Sequence, residues 1–178
     1  ATVEKRGITF SGSIGPVAPR LLETPDIGRF YLSSLRQFIA MSRADAVEAY
    51  TGVKTGNLYG ITEGILMGTA PSEGVEARHR TIGRPMSKGD RVRIVRPGTD
   101  EEVRPGEVGE LCFKGPSSLT AYFGDPEATE ASLSSDGFFR SGDLVRSVSL
   151  SGVTHYVFEG RLKDNINRGG EKIGAEEV

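Results

Sequence analysis

The stretch LSSLRQFIAMSRADAVEAYTGVKTGNLYG, Leu32–Gly60, decides the fold. Phe38, Ile39, Ala40 and Met41 form an apolar run bounded by polar residues, the pattern of a strand buried on both faces. Ser42 is a candidate N-cap, Ala44–Tyr50 has helix-forming composition, and Gly52 is a natural C-terminal stop. KTGNLYG then returns to a strand. Strand–helix–strand predicts a parallel α/β layer. Upstream, GITFSGSIGPVAPRLLE reads as a short strand, a loop and a helix around Pro19–Glu23.

Beyond Gly68 the texture changes. Val92 and Ile94 alternate with arginines, and Leu111 and Phe113 alternate with Cys112 and Lys114. That period of two predicts antiparallel strands joined by the exposed turn DEEVRPGE. A short helix opens near Asp125-Pro126, a strand runs into Asp143, and THYVFEGRLKD forms another. The fold class expected is α/β: a parallel α/β portion to about residue 68, then a mostly antiparallel β portion to about 159. A boundary is expected near residue 160, with IGAEEV as the start of a helix whose first turn carries Glu176 and Glu177.

The 178 residues suffice for one ordinary domain. With 37% hydrophobic and 26% charged residues the chain has a soluble, globular balance, and a net charge of −2 argues against wholesale nucleic-acid binding. No apolar run approaches the ~18 residues of a membrane span. The N-terminal ATVEKRGITF lacks the basic lead and apolar core of a signal peptide, and the single Cys112 excludes an internal disulfide. A cytoplasmic setting is expected. The missing initiator methionine suggests an internal segment.

Three clusters carry chemistry. YGITEG, Tyr59–Gly64, sets an aromatic ring beside bare backbone, an arrangement suited to stacking on a base. Thr62 offers a hydroxyl for a phosphate oxygen, and Glu63 a carboxylate for a hard cation such as Mg²⁺. RSGDLV places Asp143 after a Ser-Gly turn, where an ionised carboxylate can accept both hydroxyls of a ribose. GRLKDNINRGGEKIG combines charge with glycines able to absorb a change of backbone angle. Each also has a plain structural reading: a strand-to-loop turn, an Asp satisfying its own turn, a solvated loop. Neither phosphate-loop nor dinucleotide glycine patterns occur, His79 and His155 lack metal-ligand spacing, and Cys112 reads as packing.

Taken in order, YGITE, GELCFKGPSSLTAYFGDPEAT…DGFFRSGDLV and FEGRLKDNINRGGEKIGAEEV resemble the adenylate-forming (AMP-binding) superfamily of acyl- and aryl-CoA synthetases, peptide-synthetase adenylation domains and luciferases. The last block is similar to aryl-acid ligases of the 2,3-dihydroxybenzoate–AMP ligase type and to related acyl-CoA synthetases; the acyl-CoA synthetase type is the first expectation, and an aryl-acid–AMP ligase loading a carrier protein the alternative. The resemblance implies the later part of a large N-terminal domain over residues 1–159 and an interdomain hinge with the start of a small C-terminal domain over 160–178. It implies ATP-dependent activation of a carboxylic acid to an acyl-adenylate, with Mg²⁺, then transfer to a thiol of coenzyme A or of an acyl carrier protein's phosphopantetheine. By motif match Tyr59 and Gly60 would meet adenine, Thr62 phosphate, Glu63 Mg²⁺, and Asp143 with Arg161 the ribose. Lys163 would be the pivot, Gly169 and Gly170 would face the pantetheine channel, and Met41, Ser42 and Gly64 would border the acyl pocket. The family's phosphate loop and catalytic lysine would lie outside these residues, so the segment alone is expected to be inactive.

Overall fold

The structure is a computed structural model that describes residues 2–14, 17–25, 27, 30–168 and 171–174. The chain divides into two compact units, Ala1–Tyr59 with Met67–Arg84, and Gly60–Leu66 with Pro85–Val178.

In the first unit α1 (Thr2–Arg6) precedes β1 (Phe10–Ser13), α2 (Val17–Leu22), β2 (Gln37–Ala40), α3 (Ala44–Thr51) and β3 (Thr55–Gly60). β1 pairs with β2 and β2 with β3, both in parallel, which is the layer expected from Leu32–Gly60. β4 (Leu66–Gly68) and β5 (Arg84–Pro85), separated by α4 (Val75–Arg80), complete a five-stranded sheet in the order β1-β2-β3-β4-β5. Helices α2 and α3 bury Ala18 and Val47 against Phe38, Ala40 and Val53. Leu21, Leu22, Leu32 and Leu35 pack around that cluster. Each fully buried aliphatic side chain contributes roughly 1.5–3 kcal/mol.

Two local expectations change. Ser42 does not cap α3: the N-cap is Arg43, in a left-handed conformation (φ 57°) with no side-chain cap hydrogen bond. Met41 is not a strand residue and is 46% exposed, because β2 ends at Ala40. Gly52 closes α3 as expected, its N–H reaching the Glu48 carbonyl at 2.8 Å.

Helix α4 lies in a stretch read as strand-rich. VEARHR has no apolar stripe, so its stability comes from outside the helix. The Arg78 guanidinium is 4% exposed and donates to both Glu48 carboxylate oxygens and to the Thr55 carbonyl. Thr55 N–H donates to Glu48 Oε2 at 2.7 Å, and His79 Nε2 lies 3.0 Å from the same oxygen. The Arg78 hydrogen bonds outweigh burial and, with those from Thr55 and His79, bring the Glu48 carboxyl down to about 2. This network ties α3, β3 and α4 together, with His79 structural.

The second unit contains β6 (Arg91–Val95), β7 (Gly109–Lys114), α5 (Pro126–Ala131), β8 (Phe139–Leu150) and β9 (Val153–Arg161), the strands forming an antiparallel sheet in that order. β7 does not alternate: Gly109 to Phe113 are all buried. Phe113 meets Phe139 with ring centroids 5.3 Å apart, and Ile94, Val95, Leu111 and Val145 join them in the buried core. Cys112 is buried, and desolvation pushes its thiol up to about 12. Asp125 caps α5 as expected, accepting the Ala128 N–H at 2.9 Å ahead of Pro126.

A 3-10 turn, Leu162–Asp164, follows β9, and β10 (Asn165–Arg168) pairs antiparallel with β11 (Glu171–Gly174). Ile173 and Gly174, the expected start of the helix, are therefore strand. Pairing satisfies backbone groups that an isolated helical turn leaves open. The rest of that expected helix lies outside the described residues.

Candidate active site

The second unit holds a cavity of about 770 Å³ whose lining includes Glu63, Glu110, Tyr122, Arg140, Asp143, Arg161 and Lys163. The turn after β3 supplies Glu63. Gly64 N–H returns to the Ile61 carbonyl at 3.2 Å, closing the turn. Gly64 has φ +146°, and a Cβ there would lie 2.3 Å from the Ser117 carbonyl oxygen, so only glycine fits. Leu119 N–H donates to the Glu63 carbonyl at 2.7 Å, which holds the turn against the 115–122 loop.

Thr62 Oγ1 donates to Glu63 Oε2 at 2.9 Å, and the Tyr122 hydroxyl donates to Oε1 at 3.1 Å. Burial alone would raise the Glu63 carboxyl. The hydrogen bonds from Thr62, the residue's own backbone and Tyr122 outweigh it and hold the group below the usual range. Burial and the Glu63 carboxylate together push the Tyr122 phenol up. Glu63 is thus an anchored anion.

Asp143 enters from an irregular part of β8. Glu110 pairs with Leu144 and Cys112 with Arg140, so Leu111 alone on β7 faces Ser141, Gly142 and Asp143 on β8. Gly142 takes φ +72° with open space where a Cβ would stand, so glycine is there for its backbone angle. Ser141 Oγ donates to the Leu111 carbonyl at 2.7 Å and accepts the Asp143 N–H at 3.0 Å. On the other side the register with β9 slips between Leu144 and Val145, leaving Glu159 extra. Asp143 is only 3% exposed yet lines the cavity, and Arg161 Nε, on a side chain 64% exposed, lies 3.4 Å from its Oδ1. Bulges on both flanks aim a buried carboxylate into the cavity, which a regular strand pair would not do.

Glu63, Asp143, Arg161 and Lys163 therefore share one cavity, and Thr62 contacts Glu63. Gly60 ends β3 against Leu66. Tyr59, buried in β3, and Met41 and Ser42, exposed after β2, belong to the first unit. Gly169 and Gly170 lie outside the described residues. Sequence reading missed Glu110, Tyr122 and Arg140. The signals for them are slight: an acid just before the apolar run in GELCF, an aromatic before Asp125-Pro126, and a basic residue before Ser-Gly-Asp.

Glu63 suits magnesium. A carboxylate has about four acceptor positions, and the three hydrogen bonds from Thr62, its own backbone and Tyr122 do not fill them all. Among the described residues no cluster of three or more His, Cys, Asp or Glu could cage a metal. One carboxylate completed by phosphate oxygens is the ordinary magnesium arrangement. Among the described residues no helix is long and apolar enough to cross a membrane.

Comparison with known proteins agrees with the fold. The AMP-binding enzyme family profile matches residues 1–123. Pyochelin synthase PchD of Pseudomonas aeruginosa is 39% identical over 184 aligned positions, covering 100% of this chain and 33% of that protein. The 2,3-dihydroxybenzoate-AMP ligase of Bacillus subtilis is 36% identical over 99% of this chain and 33% of its own length. The apo structure of Mycobacterium smegmatis MbtA superposes with a TM-score of 0.76 at 32% identity, covering 99% of this chain and 33% of that one. The chain spans about a third of the length of the curated relatives it matches. On this match, and on the parallel and antiparallel sheets that carry it, the chain belongs to the AMP-binding enzyme family.

Proposed function

We propose that this chain is the nucleotide-facing part of an AMP-forming ligase acting on an aromatic carboxylic acid. The observation that carries the reading is the convergence of Glu63 and Asp143 on one cavity large enough for a nucleotide. The likeness to a 2,3-dihydroxybenzoate-AMP ligase supports the aromatic class.

In this reading a carboxylate oxygen of the acid attacks the α-phosphorus of ATP. The bond to the bridging oxygen breaks, and pyrophosphate leaves. A thiol then attacks the acyl carbon, releasing AMP and its own proton. Asp143, with Arg161, accepts the ribose hydroxyls. Thr62 contacts phosphate, and Tyr59 with Gly60 meets adenine. Glu63 holds Mg²⁺, which when bound neutralises phosphate charge. Met41, Ser42 and Gly64 border the acid. Residues 1–159 form the later part of the large domain and 160–178 the hinge with the start of the small C-terminal domain, with Lys163 as pivot. Gly169 and Gly170 line the approach of coenzyme A or a carrier-protein phosphopantetheine.

The test is acid-dependent ATP–pyrophosphate exchange by the full-length protein across hydroxylated benzoates and aliphatic acids. Exchange is expected with a benzoate; exchange with aliphatic acids alone would reject the aromatic class, and none with any acid would reject the ligase. Thioester formation offered coenzyme A and a phosphopantetheinylated carrier separately then identifies the acceptor.

A further inference from the structure

Glu110 is 5% exposed and sits second in β7, just before the apolar Leu111–Phe113. A carboxylate buried to that degree is costly unless paired. Its Oε2 accepts Arg140 Nη1 at 3.2 Å, and its Oε1 accepts the Gly142 N–H at 3.2 Å. Arg140 Nη2 also donates to the Thr99 carbonyl at 3.0 Å and pairs with Asp100. Asp100 is anchored in turn, accepting the Ser135 hydroxyl at 2.7 Å and the Ser135 N–H at 3.3 Å.

The second of these bonds is the informative one. The Gly142 amide belongs to the bulge that has left the β7–β8 register, so no ladder partner on β7 accepts it. A buried charge takes the place of that partner, one residue before Asp143. Arg140, held at the start of the same bulge, compensates the charge and fixes where the bulge begins. We propose that Glu110 and Arg140 are positioning residues that hold the Ser141–Gly142–Asp143 bulge so that the Asp143 carboxylate meets the nucleotide ribose. This inference rests on the ribose role given to Asp143 above.

The predicted behaviour differs from that of a purely structural ion pair. In the full-length protein Glu110→Gln should raise the half-saturating ATP concentration about tenfold, as for loss of a charge-assisted hydrogen bond. The half-saturating acid concentration should stay within about twofold. In a double-mutant cycle with Asp143→Asn, Glu110→Gln should add little further loss, because both act through one carboxylate. Arg140→Lys keeps the charge but cannot bridge three partners, and should give a smaller change of the same sign. It serves as the second variant should Glu110→Gln fail to fold.

Amide hydrogen exchange gives a readout free of activity: the Gly142 amide should lose protection in either folded variant. Full additivity in the cycle, equal losses for ATP and acid, or unchanged Gly142 protection would each overturn the inference. Failure of the ribose reading is separate. It would show as Asp143→Asn leaving ATP half-saturation unchanged while Gly142 still loses protection in the Glu110 variant.

Discussion

The two units use the same chemistry, carboxylates held by neighbouring donors, to opposite ends. In the first unit the Glu48 oxygens are taken up by Arg78, Thr55 and His79, closing a knot between two helices and a strand. In the second, Glu63 and Asp143 sit on a strained turn and a double bulge and line an open cavity. Regular elements closed the first cluster, and irregular backbone opened the second. The difference teaches that ion-pair geometry alone does not mark a site. What marks it is backbone distortion that sets carboxylates in the lining of a cavity.

This contrast can be broken by experiment, beginning with the largest expected effect. Arg78→Ala strands the Glu48 carboxylate and should destabilise the protein by roughly 3–5 kcal/mol in urea unfolding. A loss below about 1 kcal/mol would mean that the knot is not what holds the α/β unit. Glu63→Gln in the full-length protein should instead spare stability and slow pyrophosphate exchange about 100-fold, with a raised magnesium requirement. Normal exchange would remove Glu63 from the site.

The pH response separates the two carboxylates further. Glu48 has a depressed folded-state value of about 2 against an ordinary 4.5. Its contribution is fully present above about 4.5 and is lost as pH falls towards 2. It should amount to roughly 3 kcal/mol, seen as the difference between wild type and Glu48→Gln across that window. A difference that stays constant with pH would dissolve the proposed network. The smallest effect belongs to Tyr122→Phe, which removes one of the two side-chain bonds on Glu63. It should raise half-saturating magnesium about threefold to tenfold while leaving unfolding within about 0.5 kcal/mol. Should stability fall instead, the Tyr122 bond would be structural rather than part of the site.

Much of the layout was legible before any coordinates. The apolar run at Phe38–Ala40, the Gly52 stop, the Asp125-Pro126 cap and the alternating arginines of β6 each rest on a local rule, and each element formed near its expected place. Helix α4 escaped because VEARHR looks exposed; Arg78 is buried only because Glu48, thirty residues earlier, meets it. Ser42 looked the better cap, yet Arg43 takes the left-handed turn. Tyr122 and Glu63 are 59 residues apart, and no spacing rule joins them.

The sequence by itself determined the order of elements and the residue types with useful chemistry, because periodicity, capping and turn preference act over a few residues. Only the tertiary structure decided where those residues point. The Glu63 turn is held by the 115–122 loop, and the Asp143 bulge exists because β7 contributes one residue against three on β8. Register mismatch is a property of paired strands. It has no signature in either strand alone, and here it is what turns a buried aspartate towards a cavity.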